Sequence, residues 1–427
     1  MTNLAQHQSW TRNLFLRPAT AALVIAIEFA LMTAYSAQAQ TLTALHSFTG
    51  GLDGEAPYAG LAMDRAGNLY GTAPYGGNRN SNCYGSCGTV FRLTRTNFGW
   101  VFAPLYDFLG GTDGSDPTAV VTIGPDGNVY GTTAMGGGGC TSDYGCGTVF
   151  KLTPPPTTCH FAICPWTETV LYRFADNPEG GAIPYWGVIF DSQGNLYGAA
   201  AVGGTGGAGT VYELSPSGGG WIAKTLYNFQ GGIDGAIPLT NLTMDRTGTL
   251  YGTTEFGGTT GNGNVFRLVR NGASWTEESI YSFLGGVNGM APQGGVILDS
   301  AGNLYGGTVG GGTIGGGVAY ELSPTSDGSW TYTILSNFNG SINSNLSFDA
   351  AGNLYGTTYA GGAHDDGLVF KLSYSGGVWT QSMLGSFSGL NGALPIGDVL
   401  VAPDGNFYGT ATFGGKYGYG VVWEITP

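Results

Sequence analysis

Short apolar runs alternate along this chain with clusters of Gly, Asp, Asn and Pro. Residues 60–64, 68–73, 89–93 and 101–108 form one set of four such runs, and residues 187–191, 195–200, 210–214 and 221–229 form another. All are rich in β-branched and aromatic residues and are bounded by turn formers, which predicts short strands joined by hairpins. The third run of each set repeats its apolar positions: Val90, Phe91 and Leu93 return as Val149, Phe150 and Leu152, and again as Val211, Tyr212 and Leu214. No run among these has the period and length of a helix.

The second run carries a phrase close to Gly-Asn-Leu-Tyr-Gly-Thr-Thr. Its tyrosines are Tyr70, Tyr130, Tyr197, Tyr251, Tyr305, Tyr355 and Tyr408, separated by 60, 67, 54, 54, 50 and 53 residues. A period near fifty is that of a supersecondary repeat such as a propeller blade. The turn before the phrase has its own chemistry. Asp64 sits where its carboxylate reaches backbone two residues on, and Gly67 supplies the positive φ that closes the hairpin. Asp191, Asp245, Asp299 and Asp349 repeat the arrangement, whereas Gly124 and Ala402 replace the Asp in repeats two and seven. That exchange favours turn chemistry over calcium ligation at this position.

The fourth run ends in an apolar-x-x-Phe pattern, from Leu105–Phe108 to Leu384–Phe387, in six copies. The seventh repeat stops after its third strand, and the missing copy stands far upstream, where Leu45 precedes Phe48. The two ends therefore complete one blade together and hide the edges that an open stack would expose. The expected fold is all-β: a seven-bladed β-propeller of four-stranded blades, its ring closed by the N-terminal strand.

Composition places this ring in a compartment. Arg12 and Arg17 precede an apolar stretch from Ala21 to Tyr35, and Ala37-Gln38-Ala39 follows. A basic start, a short apolar middle interrupted by Glu28 and small residues at the end predict a signal peptide over residues 1–39, leaving 40–427 as a single seven-repeat domain with no membrane span. The formal net charge of −14 argues against phosphate backbones, so nucleic acid is not an expected partner.

The repeated Gly-Asn-Leu-Tyr-Gly-Thr-Thr phrase and the Gly-Thr-Val-Phe strand resemble the GloVer tandem-repeat family of secreted bacterial proteins, over essentially all of residues 41–427. The resemblance implies an extracytoplasmic repeat protein, in the periplasm or at the cell surface. Many relatives continue into C-terminal surface anchors, from which this chain departs. The family transfers no catalytic residue.

In a four-stranded meander the loop after strand two and the connector leaving strand four share one face. That face collects the glycine-rich segments and most of the variation in length, so it is the expected working face. Asp53, Asp113 and Asp234 lie in its connectors and could hold calcium or a polyhydroxylated ligand. Tyr58, Tyr185 and Trp186 follow and could stack on sugar rings. The competing reading gives the Asp-Gly pairs to turns and the aromatics to packing between blades. His364, beside Asp365 and Asp366, is the one histidine on this face.

Six cysteines fall into three local pairs, Cys83 with Cys87, Cys140 with Cys146 and Cys159 with Cys164, the spacing of small-loop disulfides in an exported chain. A zinc site from the first two pairs is the alternative. No nucleophile elbow, zincin helix or phosphate loop occurs, and no odd polar residue near the axis stands out. The expected function is a monomeric binding scaffold for a glycan, surface component or protein, with no cofactor beyond a conceivable calcium. The alternatives are a metal-dependent lactonase or lyase of propeller type and a purely structural surface repeat.

Overall fold

The computed structural model describes residues 40–79, 81–83, 85–140, 145–156, 166–175 and 180–427. Seven four-stranded antiparallel sheets follow one another in chain order. The first consists of Ala62–Met63, Leu69–Ala73, Thr89–Thr96 and Gly99–Asp107, from the axis outward. The last is built from both ends of the chain. Leu400–Val401, Phe407–Ala411 and Val421–Thr426 supply three strands, and Thr41–Ser47 adds the outer one, pairing Thr41 with Thr426 and Ser47 with Val421. Closure by the N-terminal strand is thus as the displaced Phe48 predicted.

The inner strands pair over only two residues each, shorter than the five-residue runs suggested. The backbone ahead of them is taken up by the adjacent blade instead. Thr72 Oγ1 donates to the Ala119 carbonyl at 2.8 Å, and Thr132 to that of Trp186 at 3.0 Å. Thr253 reaches Gly294 and Thr357 reaches Gly397 in the same way, at 2.8 and 3.1 Å. The first threonine of the repeated phrase is therefore a tie between neighbouring blades.

Apolar cores lie between blades. Phe48, Leu61, Leu69, Phe91, Tyr408 and Val422 form one such layer from the last blade and the first. Each Phe that ends an outer strand is buried against the third-strand ring of the next blade: Phe48 on Phe91, Phe108 on Phe150, Phe229 on Phe266 and Phe387 on Trp423, with centroids 5.1–5.9 Å apart. A β-bulge at Val90/Phe91, repeated at Val149/Phe150 and Val265/Phe266, shifts the register and re-aims the end of the outer strand. The glycine of the phrase has a steric cause. A Cβ on Gly252 would stand 2.7 Å from the Phe266 ring, and one on Gly71 would collide with Phe91 in the same way.

The marked tyrosines close the first hairpin. Asp64 accepts from the N–H groups of Ala66 and Asn68, from Asn68 Nδ2 and from the Tyr70 hydroxyl. Tyr130, Tyr197, Tyr251, Tyr305 and Tyr355 bond their own turn aspartates at 2.8–3.2 Å. Burial pulls these carboxylates upward, but the donors outweigh it and hold Asp64 and Asp349 below the ordinary value.

Candidate functional site

The connectors of the glycine-rich face share one unusual backbone feature. Ala56, Asp116, Ile183, Ile237, Ala291 and Leu394 each stand directly before a proline with φ between 53 and 58°. A left-handed non-glycine residue costs roughly 1–3 kcal/mol. Here the conformation is held from the preceding blade: the N–H of Asp116 donates to the Cys87 carbonyl at 3.1 Å, that of Ile183 to Cys146 at 2.9 Å, and that of Ile237 to Ala208 at 2.8 Å. Each kink turns the chain inward, so the residue after the proline faces the axis.

These inward residues, one per blade, enclose a cavity of about 270 Å³ at the mouth of the ring. Tyr58, Tyr185 and Trp186 make an aromatic side, Leu239 and Ile396 an apolar one, and Thr118, Gln293 and Asn343 a polar one. Trp186 breaks the repeat, since its counterparts are Ala59, Ala119, Thr240, Gly294, Ser344 and Gly397. Tyr185 is 42% exposed, so its ring is available to a ligand.

The polar side ends in a free acceptor. Gln293 Nε2 donates to Glu255 Oε1 at 2.8 Å, and Asn343 Nδ2 donates to Gln293 Oε1 at 2.7 Å. Because a carboxylate only accepts, it fixes the orientation of both amides. Asn343 Oδ1 is left buried with no partner. A second orphan is Asp116 Oδ1, in a residue only 7% exposed. Burial pushes the Asp116 carboxyl up to about 7. Its charge lies close enough to Tyr75 and Tyr185 to raise both phenols, although burial is the larger cause in each. Such orphans in a native fold ask for a water, ion or ligand.

One layer deeper, side chains bridge adjacent inner strands. Asn241 Oδ1 accepts from the Gly187 N–H at 3.2 Å and Asn345 Oδ1 from that of Gly295. Asp398 Oδ1 accepts from the Asn345 N–H at 2.8 Å and Oδ2 from Asn345 Nδ2 at 3.1 Å. The counterparts of Asp398 are glycine, valine or asparagine. Burial raises its carboxyl to about 6 against the pull of the Asn345 donors. Asp398, just ahead of an inner strand, and Asp116, in the connector before one, are thus carboxylates that break the repeat. Aligning the seven segments that enter the inner strands, six of them marked by a proline, would have exposed both.

The connector aspartates do not meet. Asp53 accepts from the Thr49 N–H at 3.0 Å, from the Thr49 hydroxyl and from His46 Nε2 at 3.1 Å. Asp113 takes the Leu109 N–H and the Tyr106 hydroxyl, and Asp234 takes the Gln230 N–H and the Tyr227 hydroxyl, at 2.8 and 3.0 Å in both blades. Each carboxylate caps its own connector against its own outer strand, as Asn391 does by accepting the Ser388 N–H. His46 also stacks on Phe102 at 4.0 Å. His364 is exposed in the second-to-third-strand loop of blade six and does not line the cavity. Among the described residues no three His, Cys, Asp or Glu side chains converge as a metal site would require.

Disulfides join Cys83 to Cys87 and Cys140 to Cys146, with Cα atoms 5.2 and 5.6 Å apart, so these sulfurs are not zinc thiolates. Cys159 and Cys164 lie outside the described residues, as does the N-terminal stretch read as a signal peptide. Among the described residues no helix is long and apolar enough to cross a membrane.

The Gloeobacter/Verrucomicrobia repeat model matches residues 30–163, 140–345 and 278–427. No curated protein matches the chain. Among solved structures, a Bacteroides uniformis protein assigned as a 6-phosphogluconolactonase is 14% identical with a TM-score of 0.50, covering 76% of this chain and 84% of its own. A fungal alcohol oxidase of the AA5 family, in complex with copper, is 13% identical with a TM-score of 0.52, covering 91% of this chain and 77% of its own. At such identities the likeness is one of fold.

Proposed function

Because the chain belongs to the Gloeobacter/Verrucomicrobia repeat family, the GloVer repeats of its sequence, we propose that it is an exported, monomeric binding scaffold that takes a glycan or similar surface component at the mouth of its ring. One observation carries this reading: the axial cavity joins an aromatic wall, Tyr58, Tyr185 and Trp186, to a polar side where Asn343 Oδ1 is buried without a partner. Flat aromatic faces suit the apolar faces of sugar rings, and orphan acceptors suit hydroxyl donors. The disulfides favour an oxidising compartment. The N-terminal strand pairs with Val421–Thr426, so the last blade is completed within one chain. A glycan array with the purified protein, run with and without calcium, tests the proposal. Selective binding that falls at least about tenfold in Trp186→Ala is expected, and silence across the array in both conditions sinks the reading.

A second reading, an enzyme on a sugar-like substrate, draws support from Asp398, a carboxylate held by Asn345 just ahead of the inner strand, where the other blades carry glycine, valine or asparagine. Its test is acid release from gluconolactones. Turnover lost in Asp398→Asn would favour it, and none in the parent protein would remove it.

A further inference from the structure

We infer that the mouth receives one neutral sugar ring end-on, the terminal residue of a glycan, and that a relay from Glu255 through Gln293 to Asn343 selects the hydroxyl edge of that ring. This assignment rests on the glycan-binding reading and narrows it to one mode and one chemical class.

The shape of the site gives the mode. Every blade contributes a lining residue, from Tyr58 in the first to Ile396 in the last, so the cavity is walled on all sides and is entered along the axis. Its volume is about 270 Å³. That is just below the roughly 300–1,000 Å³ of pockets for drug-sized ligands, and close to the liquid share of about nine waters. One sugar ring fits such a space, and two do not. An interior residue of a glycan is tethered on two sides, and both neighbours would have to cross the wall to seat it. A terminal residue is tethered once, and its single link can leave along the axis.

The order of side chains around the ring gives the class. Gln293 and Asn343 stand in neighbouring blades, the fifth and the sixth. The other five blades present aromatic or aliphatic side chains, except for Thr118, whose hydroxyl hydrogen is spent on the Tyr185 carbonyl at 2.8 Å. Tyr58 is packed edge-on against Tyr75, with centroids 6.1 Å apart, and Trp186 adds a second ring from the third blade. Polarity is thus confined to one arc. A pyranose suits it, with its C–H face on the aromatic arc and its hydroxyls toward the amides. Among the described residues no Lys, Arg, His, Asp or Glu lines the cavity, and the formal net charge of the chain is −14. An acidic sugar would meet no cation there and a repelling field around it, so the ring is neutral.

Glu255 gives the relay its direction. Its carboxylate accepts from Gln293 Nε2 at 2.8 Å, which leaves Gln293 Oε1 to accept from Asn343 Nδ2 at 2.7 Å. A carboxylate cannot donate, so neither amide can flip without losing its bond. Each amide nitrogen spends one of its two hydrogens in the relay and keeps one to offer a sugar oxygen. The repeat does not require this acid, since the other blades hold Pro74, Ala134, Ala201, Val309, Tyr359 and Thr412 at the same place. Glu255 does not itself line the cavity and acts through Gln293, as a positioning residue.

The test applies the purified protein to glycans immobilised through their reducing ends. Methyl glycosides of glucose, galactose, mannose, xylose, fucose and N-acetylglucosamine serve as neutral competitors, and that of glucuronic acid as the acidic one. Bound glycans should share a neutral terminal residue whatever lies behind it, and one neutral methyl glycoside should abolish binding while the glucuronide does not. In Glu255→Ala, the residue of Ala134 and Ala201, the preference for that methyl glycoside over the other neutral ones should shrink at least about tenfold. Gln293→Leu, which repeats Leu239 of blade four, should do the same. Bound glycans grouped by interior sequence whatever their ends, or binding that resists every methyl glycoside, overturns the end-on mode. Competition by the glucuronide overturns the neutral class, and a preference unchanged in both variants overturns the relay. Silence across the array removes the glycan reading beneath all three.

Discussion

The Thr410 hydroxyl donates to the Ala59 carbonyl at 2.6 Å, across 351 positions of sequence. It ties the last blade to the first, beside the strand pairing of Thr41–Ser47 with Val421–Thr426. Thr410→Val keeps the shape and leaves the buried carbonyl of Ala59 without this donor. A loss of about 1–3 kcal/mol in urea unfolding is expected. An unchanged midpoint would mean that the ties are incidental to the ring.

Removing the closing strand should do more than remove one bond. A chain starting at residue 49 loses Phe48, fully buried on Phe91, and leaves the Val421–Thr426 edge unpaired. It should self-associate or unfold, as read by size-exclusion chromatography and thermal melting. In the intact chain, Phe108→Ala should cost about 3–5 kcal/mol by emptying the equivalent interblade layer.

Each described disulfide bears on the mouth more than on the ring. Cys87 and Cys146 supply the carbonyls that hold Asp116 and Ile183 in left-handed backbone. Five residues closed by a bridge contribute only about 2 kcal/mol of chain entropy. The variant with both Cys83→Ser and Cys87→Ser should therefore melt close to the parent yet bind ligand more weakly. A large drop in melting temperature with unchanged affinity would reverse this assignment.

Stability should fall as pH rises from about 4 to 7. Burial raises Asp116 to about 7 and Asp398 to about 6, and burial with Asp113 or Asp234 nearby raises Glu168 and Glu277 to about 7. In that window the folded state keeps protons that the unfolded chain has released, so deprotonation favours unfolding. Two groups of residues work the other way. His46, lowered by burial against the pull of Asp53, loses its contribution as the pH falls through its range. The turn aspartates, among them Asp64, Asp191 and Asp245, contribute above about 4 and lose it as pH drops through their lowered values. Melting temperature should thus peak on the acid side of neutrality, and the double variant Asp116→Asn with Asp398→Asn should flatten its decline toward pH 7. A melting temperature that climbs steadily to pH 7 would contradict this.

The blade was legible because its causes are local and recur. Asp64, Gly67 and Tyr70 close a hairpin within a few residues, Gly252 yields to Phe266 across one sheet, and Phe48 announces its displaced strand by pattern alone. Tyr58, Tyr185 and Trp186 could be picked out as aromatics in the right connectors, but Asp53, Asp113 and Asp234 could not be told apart from turn caps. Their hydroxyl partners, Tyr106 and Tyr227, lie on the preceding outer strand, and only the fold aims them at the connector. The mouth itself depended on tertiary structure. It takes a residue from each blade and a second, Trp186, from the third, and its character comes from departures such as Trp186, Gln293 and Asn343, which become visible once seven inner strands stand in register around one axis. Repetition along the chain specifies the scaffold through short-range chemistry. The asymmetry that can recognise a ligand arises where non-repeating side chains converge, and ring closure alone brings them together.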